Sequence, residues 1–288
     1  MRIVITGGKG MLGRTLQQVL KEHEIVVADL PEWDITNVAD FNEKLKNIHA
    51  NVVIHCAAMT AVDKCETEVD LAFHLNAVGS MNVAAACQRN GVRLIAISTD
   101  YVFGGELDRP YHEFDIAGGA HTVYGKSKYA GEEMIRRHCP NHVICRISWL
   151  YGAGGPSFVH SMMKLADGTR PTLKVVDDQL GNPTSTFAVA RHLKLFLTHP
   201  LLVGTYHLTC EGEATWADFA REIFRFAGKK QEIQPCTTDE FPRPAPRPKN
   251  SSPQPVERRS DRVACTGSSR TPRKPEPLPH PADGHNGN

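Results

Sequence analysis

The amino terminus of this chain combines a strand, a glycine-rich turn and the start of a helix. Residues 2–6 are rich in β-branched side chains, which is typical of a short buried strand, and an apolar-periodic helix follows residue 10. Between them, Gly7 permits a tight turn, Gly10 lets the backbone approach a pyrophosphate, and Gly13 lets the helix pack closely on the strand. Because free N–H groups at a helix start attract anions, this segment predicts a dinucleotide-binding βαβ unit. The alternative is a glycine turn that binds nothing.

The composition excludes several classes of partner. The 288 residues include 33 basic and 32 acidic side chains, and the net charge of +1 indicates neither a nucleic-acid partner nor attraction to a membrane surface. No apolar run reaches about eighteen residues, so no membrane span is expected, and the strand at residue 2 leaves no room for a signal peptide. The eight cysteines show no C-x-x-C spacing. We therefore expect no metal site, no disulfide framework and a cytoplasmic location.

Short apolar runs alternate with helical patterns over the first 150 residues. The predicted strands are residues 2–6, 25–28, 52–56, 93–98 and 143–148, and the predicted helices are residues 11–22, 38–47, 77–90 and 123–137. This alternation predicts an α/β fold with a Rossmann doubly wound parallel sheet, whose ligand crevice lies at the carboxyl ends of the strands.

The predicted domain organisation has three segments. Residues 1–150 are expected to form an NAD(P)-binding Rossmann domain that also receives elements from about residues 173–200. Residues 151–252 are expected to form most of a smaller C-terminal substrate-binding lobe, with strands at 173–176 and 205–208. Residues 253–288 include seven prolines and few apolar side chains, which predicts a disordered tail or a shifted reading frame.

Tyr124 and Lys128 are four residues apart in a segment with a helical pattern. Because positions i and i+4 share one helix face, the lysine ammonium is expected beside the phenol. A nearby ammonium favours the phenolate and lowers the pKa of the tyrosine, which makes Tyr124 a candidate proton donor to a carbonyl. The alternative is a chance pair on a solvated helix face.

Ser98 and Thr99 follow a core strand and therefore lie at its carboxyl end. Either hydroxyl could donate a hydrogen bond to a substrate oxygen as charge develops there, or could simply cap the strand. A hydroxyl donor, a tyrosine acid and a lysine beside a dinucleotide turn together predict a hydride-transfer site.

A series of ordered motifs extends this prediction over most of the chain. The motifs are residues 6–13, 34–36, 55–64, 75–77, 98–103, 124–132, 146–152, 176–184 and 243–250. On these motifs, residues 1–252 resemble the extended short-chain dehydrogenase/reductases, in particular those that reduce nucleotide-linked 4-keto sugars. The resemblance implies reduction of the 4-keto group of dTDP-4-dehydro-L-rhamnose to dTDP-L-rhamnose by NADPH or NADH, with Tyr124 as the proton donor. A homodimer is possible.

The same resemblance implies roles for individual residues. The implied catalytic triad is Thr99, Tyr124 and Lys128. The implied cofactor contacts are Gly10, Met11 and Leu12 on the pyrophosphate, Asp34 and Ile35 beside the adenine, and Ala58, Met59 and Thr60 on the path to the nicotinamide. The rest of the expected cofactor-binding set is Gly7, Gly13, Asp29, Tyr124 and Lys128. The implied substrate contacts are Thr99, Asp100 and Trp149, although Trp149 is alternatively an ordinary core tryptophan.

The choice between NADH and NADPH stays open at this stage. Asp29 ends the second predicted strand, where a carboxylate accepts a hydrogen bond from a free ribose 2′-hydroxyl and repels a 2′-phosphate. Arg14, just past the glycine turn, favours the phosphate instead. The resemblance implies that both cofactors are tolerated.

Two other functions are compatible with these motifs. A reductase or epimerase of another nucleotide sugar would share Thr99, Tyr124 and Lys128. A non-catalytic regulatory subunit resembling the β subunit of methionine adenosyltransferase would keep the fold and the Tyr–Lys pair. Trp149 and the run Val-Asp-Asp-Gln at residues 176–179 favour the reductase.

Overall fold

The computed structural model of the protein describes residues 1–254. The prediction of disorder for residues 253–288 therefore lies outside the described residues, apart from Pro253 and Gln254. These two residues pair with Tyr111: Pro253 forms an isolated bridge with it, and the Gln254 N–H donates to its carbonyl oxygen at 2.7 Å.

The described strands, in chain order, are β1 (Arg2–Thr6), β2 (Glu24–Ala28), β3 (Val52–His55), β4 (Arg93–Thr99), β5 (His142–Ile147), β6 (Leu150–Tyr151), β7 (Thr172–Val176), β8 (Leu180–Gly181), β9 (Thr184–Ser185), β10 (Gly204–His207), β11 (Ala214–Thr215) and β12 (Glu232–Cys236). The described α-helices are α1 (Met11–Val19), α2 (Val38–Ile48), α3 (Val62–Cys65), α4 (Val69–Phe73), α5 (Gly79–Arg89), α6 (Val123–His138), α7 (Phe158–Leu165), α8 (Thr186–Thr198) and α9 (Trp216–Phe226). A π-helical turn, His74–Val78, joins α4 to α5, and a 3₁₀ turn, Asp100–Val102, follows β4.

The main sheet has six parallel strands in the order β10-β5-β4-β3-β1-β2. The chain moves outward from β1 to β2 and then returns to place β3 on the other side of β1. The carboxyl ends of β1 and β3 therefore border the crevice where such sheets bind ligands. This arrangement confirms the predicted Rossmann doubly wound sheet.

Helices cover both faces of the sheet because its strands carry apolar side chains on both sides. Ile3 and Ile5 of β1 pack in a cluster with residues of α1 and α8. Val4, on the opposite face, packs in a second cluster with residues of α2, α5 and α6. Alternation along one strand thus builds two cores, which is the pattern of a buried parallel strand.

A smaller set of elements packs around a separate apolar cluster. Helices α7 and α9 pack with strands β7 and β12, and Met162, Leu173 and Phe219 are buried between them. The strand predicted at 173–176 does not join the main sheet, because β7 pairs with β12. Conversely, the strand predicted at 205–208 belongs to the main sheet rather than to the lobe, because β10 pairs with β5 as its edge strand.

Two predicted helices have different limits in the structure. The helix predicted at 11–22 ends at Val19, where Leu20 leaves helical geometry. The helix predicted to begin at residue 77 is preceded by the π-helical turn. Among the described residues, no helix combines the length and the apolar character needed to cross a bilayer.

Candidate active site

The glycine turn between β1 and α1 is packed so tightly that side chains cannot enter it. Gly7 adopts a positive φ of 65°, and a Cβ there would lie 2.8 Å from the Ala57 nitrogen. A Cβ at Gly13 would lie 2.5 Å from the Gly7 carbonyl oxygen. The start of α1 has no side-chain cap and no acidic residue in its first turn, so no side chain of that turn occupies its free N–H groups. These features fit a bound pyrophosphate.

Asp29 and Arg14 both lie against this turn. One Asp29 carboxylate oxygen accepts a hydrogen bond from the Lys9 N–H at 2.9 Å, and the other accepts one from the Leu30 N–H at 3.0 Å. Arg14 Nε donates to the Lys9 carbonyl oxygen at 2.7 Å. The Asp29 carboxylate, which favours NADH, and the Arg14 guanidinium, which favours NADPH, are therefore both hydrogen-bonded to the backbone of Lys9.

The loop after β2 is shaped by Asp34 and Ile35, the residues expected beside the adenine. Asp34 Oδ1 accepts hydrogen bonds from the Thr36 hydroxyl at 2.7 Å and the Thr36 N–H at 2.8 Å, and these bonds lower the pKa of Asp34. Ile35 is buried, and its carbonyl oxygen accepts a hydrogen bond from Asn82 at 3.0 Å. The Asp34 carboxylate thus stabilises its own loop, as in an Asx turn.

Asn76 holds the loop after β3, where Ala58, Met59 and Thr60 lie. Its side chain accepts from the Met59 N–H at 2.8 Å and donates to the Met59 carbonyl oxygen at 3.1 Å and to the Ser127 hydroxyl at 3.0 Å. Met59 also packs in one apolar cluster with Tyr124. Asn76 therefore joins the expected nicotinamide path to α6.

The structure brings Thr99, Tyr124 and Lys128 together at the carboxyl end of β4. Thr99 lies within reach of the Tyr124 phenol, whose ring packs edge-on against Tyr101 with 5.6 Å between the ring centroids. Lys128, one turn later on α6, donates from Nζ to the Ile97 carbonyl oxygen at 2.8 Å. All three catalytic candidates are buried, with Tyr124 only 9 % exposed. The phenol is therefore not part of a solvated helix face.

The prediction that the pKa of Tyr124 is lowered is wrong. Burial raises the pKa of Tyr124, and the negative charge of Asp100 adds to this increase, whereas the hydrogen bond with Thr99 opposes it. Burial also lowers the pKa of Lys128 to about 8, although Glu132 opposes that decrease. Burial is the largest cause of both pKa shifts, and neither residue is among the groups that shift the pKa of the other.

Thr99, rather than Ser98, is the hydroxyl beside the phenol. The Ser98 hydroxyl donates to Glu132 Oε1 at 2.6 Å, on the side of the strand where Arg146 also bonds Glu132. Thr99 donates to Asp100 Oδ1 at 2.9 Å and contacts Tyr124. This difference separates the two candidates that the sequence left open.

The Asp100 carboxylate is buried and already hydrogen-bonded. Its second oxygen accepts from the hydroxyls of Ser148 at 2.9 Å and Ser251 at 2.6 Å. Burial raises the pKa of Asp100, and the three hydroxyl donors oppose that increase. The expected contact of Asp100 with the sugar stays a prediction.

Trp149 lies just beyond β5 with a left-handed backbone, at φ 44°. Such a conformation costs a non-glycine residue on the order of 1–3 kcal/mol, so the surroundings must hold it in place. Its indole stacks on Trp216, with ring centroids 3.5 Å apart and planes within 6°. Trp149 is partly buried in the lobe cluster, and the expected substrate contact stays a prediction.

Three residues of this region had no assigned role in the sequence analysis. Asn76 lies inside one of the family-like motifs, so its position was marked although its contacts were not. Trp216 lies outside all of the family-like motifs. Ser251 reaches Asp100 across 151 residues of chain, and no local pattern indicates that contact. Among the described residues, no cluster of His, Cys, Asp or Glu suited to a metal ion is found.

Comparison with known proteins gives one consistent family. The model of the family described as "RmlD substrate binding domain" matches residues 1–258. A dTDP-4-dehydrorhamnose reductase from Streptomyces griseus is 41% identical over 258 residues, covering 87% of this chain and 84% of that protein.

Solved structures agree with this match. A crystal structure of a dTDP-4-dehydrorhamnose reductase from Clostridium acetobutylicum superposes with a TM-score of 0.85 at 46% identity, covering 88% of this chain and 90% of that one. The dTDP-4-dehydrorhamnose reductase from Bacillus anthracis, crystallised in complex with NADP, gives a TM-score of 0.85 at 40% identity with the same coverage.

Proposed function

Because the chain belongs to the RmlD substrate binding domain family, we propose that it reduces the 4-keto group of dTDP-4-dehydro-L-rhamnose to dTDP-L-rhamnose with NADPH or NADH. The observation that carries the proposal is the buried phenol of Tyr124, which lies beside Thr99 at the carboxyl end of β4. Relatives of this family named as dTDP-4-dehydrorhamnose reductases support the substrate, and the NADP complex of one of them supports the cofactor.

The cofactor site is built from the turns after the first three strands. Gly7 forms the tight turn, Gly13 lets α1 pack closely on β1, and Gly10 lets the backbone approach the pyrophosphate, which the N–H groups of Met11 and Leu12 at the start of α1 would bind. The remaining cofactor contacts are Asp29 on the ribose, Asp34 and Ile35 beside the adenine, and Ala58, Met59 and Thr60 toward the nicotinamide. When bound, the reduced nicotinamide supplies the hydride for C4 of the sugar.

Tyr124 supplies the proton that the sugar oxygen needs. The raised pKa keeps the phenol protonated near neutral pH, which is the form that a proton donor must have. Thr99 lies beside the phenol and orients it. Lys128 lies on the same face of α6 as Tyr124, and its amine donates to the Ile97 carbonyl oxygen of β4. From there the amine would bind the cofactor ribose and offset the charge left on the phenolate.

The substrate is bound mostly by the smaller lobe of residues 151–252, together with Thr99, Asp100 and Trp149. This division assigns residues 1–150 to the cofactor. Helix α8 packs against α1 of this part, and β10 extends its sheet by pairing with β5. We also infer a cytoplasmic location, which the absence of disulfide bonds among the seven described cysteines supports. A homodimer stays a prediction.

The test is the loss of NADPH absorbance when the purified protein is given dTDP-4-dehydro-L-rhamnose, with identification of the product as dTDP-L-rhamnose. Tyr124→Phe is expected to lower the rate by about 10²- to 10⁴-fold while still binding NADPH, because the glycine turn is unchanged. Equal rates for the two proteins would exclude Tyr124 as the acid. Cofactor binding without turnover in the wild type would favour a regulatory subunit.

A further inference from the structure

The run Val-Asp-Asp-Gln at residues 176–179 fixes the start of helix α9. Asp177 Oδ1 accepts a hydrogen bond from the Thr215 hydroxyl, and Thr215 in turn caps α9 by accepting from the Asp218 N–H at 3.0 Å. Gln179 Oε1 accepts from the indole N–H of Trp216 at 3.0 Å. Two residues of one loop therefore hold the cap and the first residue of α9.

The same loop is anchored from its other side. Gln179 Nε2 donates to the Thr238 hydroxyl at 2.9 Å, and Asp178 accepts from the Thr238 N–H at 2.9 Å. Gln179 is only 6 % exposed, so its amide has little freedom to turn away from Trp216. The indole of Trp216 is thus fixed by a buried hydrogen bond rather than by packing alone.

Trp216 in turn limits the position of Trp149. The two indoles are stacked at 3.5 Å, and a Cβ at Gly181 would lie 2.2 Å from the Trp149 ring. The Trp149 indole is therefore confined by Trp216 and by the Gly181 backbone, while its own backbone is left-handed. Of the described residues, none accepts a hydrogen bond from the Trp149 indole N–H.

We propose that Trp216 is a positioning residue for sugar recognition: held by Asp177 through Thr215 and directly by Gln179, it fixes the Trp149 indole where that indole contacts the sugar of the nucleotide substrate. This inference rests on the proposed function, because it takes a nucleotide sugar as the ligand of Trp149. It assigns the run at residues 176–179 a role in positioning Trp216, which the sequence alone did not predict. The ligand class is a sugar that presents an apolar ring face or a hydroxyl acceptor to an indole.

The experiment compares the full-length wild type with Trp216→Phe, Gln179→Leu and Gln179→Glu. Gln179→Leu removes the acceptor of the Trp216 N–H, whereas Gln179→Glu keeps that acceptor and loses only the donor to Thr238. Phe226→Ala is the matched control, because Phe226 is an exposed aromatic residue at the far end of the same helix. The readouts are the exciton couplet of the stacked indoles in circular dichroism and separate KM and kcat values for NADPH and dTDP-4-dehydro-L-rhamnose.

Gln179→Leu is expected to weaken the couplet and to raise KM for the sugar nucleotide about tenfold, with kcat and KM for NADPH within about twofold of wild type. Trp216→Phe is expected to raise the same KM, Gln179→Glu is expected to raise it less than Gln179→Leu does, and Phe226→Ala is expected to stay near wild type. An unchanged KM in both Trp216→Phe and Gln179→Leu, or an equal rise in KM for NADPH, would overturn the proposal. So would a wild type without the couplet.

Absence of turnover in the wild type would count against the proposed reductase activity and not, by itself, against the role of Trp216. In that case the dissociation constant of dTDP-L-rhamnose, measured by equilibrium dialysis on the same proteins, replaces KM. The same order of variants is then expected. No binding by the wild type, or binding that is equal in all variants, would overturn the proposal.

Discussion

The Thr99 hydroxyl donates its hydrogen to the Asp100 carboxylate, with 2.9 Å between the two oxygens. A hydroxyl has only one hydrogen to donate, so Asp100 competes with the ionised phenol of Tyr124 for the hydrogen of Thr99. Ser148 and Ser251 donate to the other Asp100 oxygen and hold the carboxylate from two further segments of the chain. The direction of the Thr99 hydrogen bond is therefore set by a side chain that is buried beneath it.

Replacing Asp100 with asparagine should disturb these hydrogen bonds without changing the size of the side chain. The amide oxygen satisfies the two serine hydroxyls best, which turns the amide nitrogen toward Thr99 and reverses the hydrogen bond there. We expect Asp100→Asn to lower kcat by about ten- to a hundredfold, the effect of one misdirected buried hydrogen bond, while NADPH binding is retained. Steady-state kinetics and cofactor titration measure this, with Asp115→Asn on the exposed loop as the control. A kcat equal to wild type would show that Asp100 does not orient Thr99.

Much of the dinucleotide half of the site follows from local sequence. The spacing of Gly7, Gly10 and Gly13 between a β-branched run and an apolar helix permits few other structures, because each glycine faces a backbone atom at close range. The first five strands and helices α1, α2, α5 and α6 were predicted to within a few residues, whereas the short helices α3 and α4 were not predicted. Helical spacing also indicated that Tyr124 and Lys128 are neighbours.

Contacts between distant segments could not be predicted in this way. The edge position of β10 depends on pairing with β5, which lies about sixty residues earlier, and Ser251 and Trp216 act through contacts that leave no periodic pattern. The predicted direction of the Tyr124 pKa shift is wrong for a related reason. Spacing shows which charges are close, but burial depends on everything that packs around them.

The buried amine of Lys128 should make stability depend on pH. Its pKa is about 8 in the folded protein, below the usual lysine value of 10.5, because burial disfavours the charged form. The unfolded chain therefore binds more protons between these two pKa values, and the stability rises with pH across that window. Below about pH 8 the full penalty of burying the ammonium is present, and it is relieved as the amine loses its proton.

We expect the wild type to gain roughly 2 kcal/mol in the free energy of unfolding between about pH 7 and about pH 9.5, relative to Lys128→Met. Urea denaturation of both proteins at the two pH values measures this gain. Subtracting the variant removes the contributions of the other buried groups. A difference between the proteins that does not change with pH would mean that Lys128 titrates near its ordinary value in the folded state.

Asp29 should influence the choice of cofactor. Its charge lies on the glycine turn, where it repels a 2′-phosphate, whereas Asp29→Asn keeps an oxygen to accept the Lys9 N–H. We expect this variant to raise the ratio of kcat/KM for NADPH over NADH by about tenfold. Glu24→Gln is the control, because it removes the same charge at the opposite end of β2. A ratio that is the same in both variants would place the source of selectivity elsewhere, with Arg14 as the next residue to test.

A buried ionic cluster lies behind the catalytic strand. Glu132 accepts hydrogen bonds from Arg146 Nε at 2.9 Å and Nη2 at 2.7 Å, from Arg136 at 2.8 Å and from Ser98 at 2.6 Å. Burial alone would raise the pKa of Glu132, but the hydrogen bonds and charge of Arg146 lower it below its usual value. Glu132 and Arg146 are each about 2 % exposed, so neither charge has water to replace a lost partner.

Breaking this cluster should therefore cost far more than breaking a surface ion pair. Glu132→Gln leaves Arg146 buried without its counter-charge, and we expect a loss of about 3–5 kcal/mol in the free energy of unfolding at neutral pH. Because the folded pKa of Glu132 is lowered, its contribution is complete above the unfolded value of 4.5 and is lost as the pH falls through the folded pKa. The gap between wild type and variant should then narrow in acid. Glu133→Gln, which removes only the half-exposed pair with Arg136, should cost less than about 1 kcal/mol. Denaturation curves that gave similar losses for the two variants would show that Arg146 finds another partner when Glu132 loses its charge.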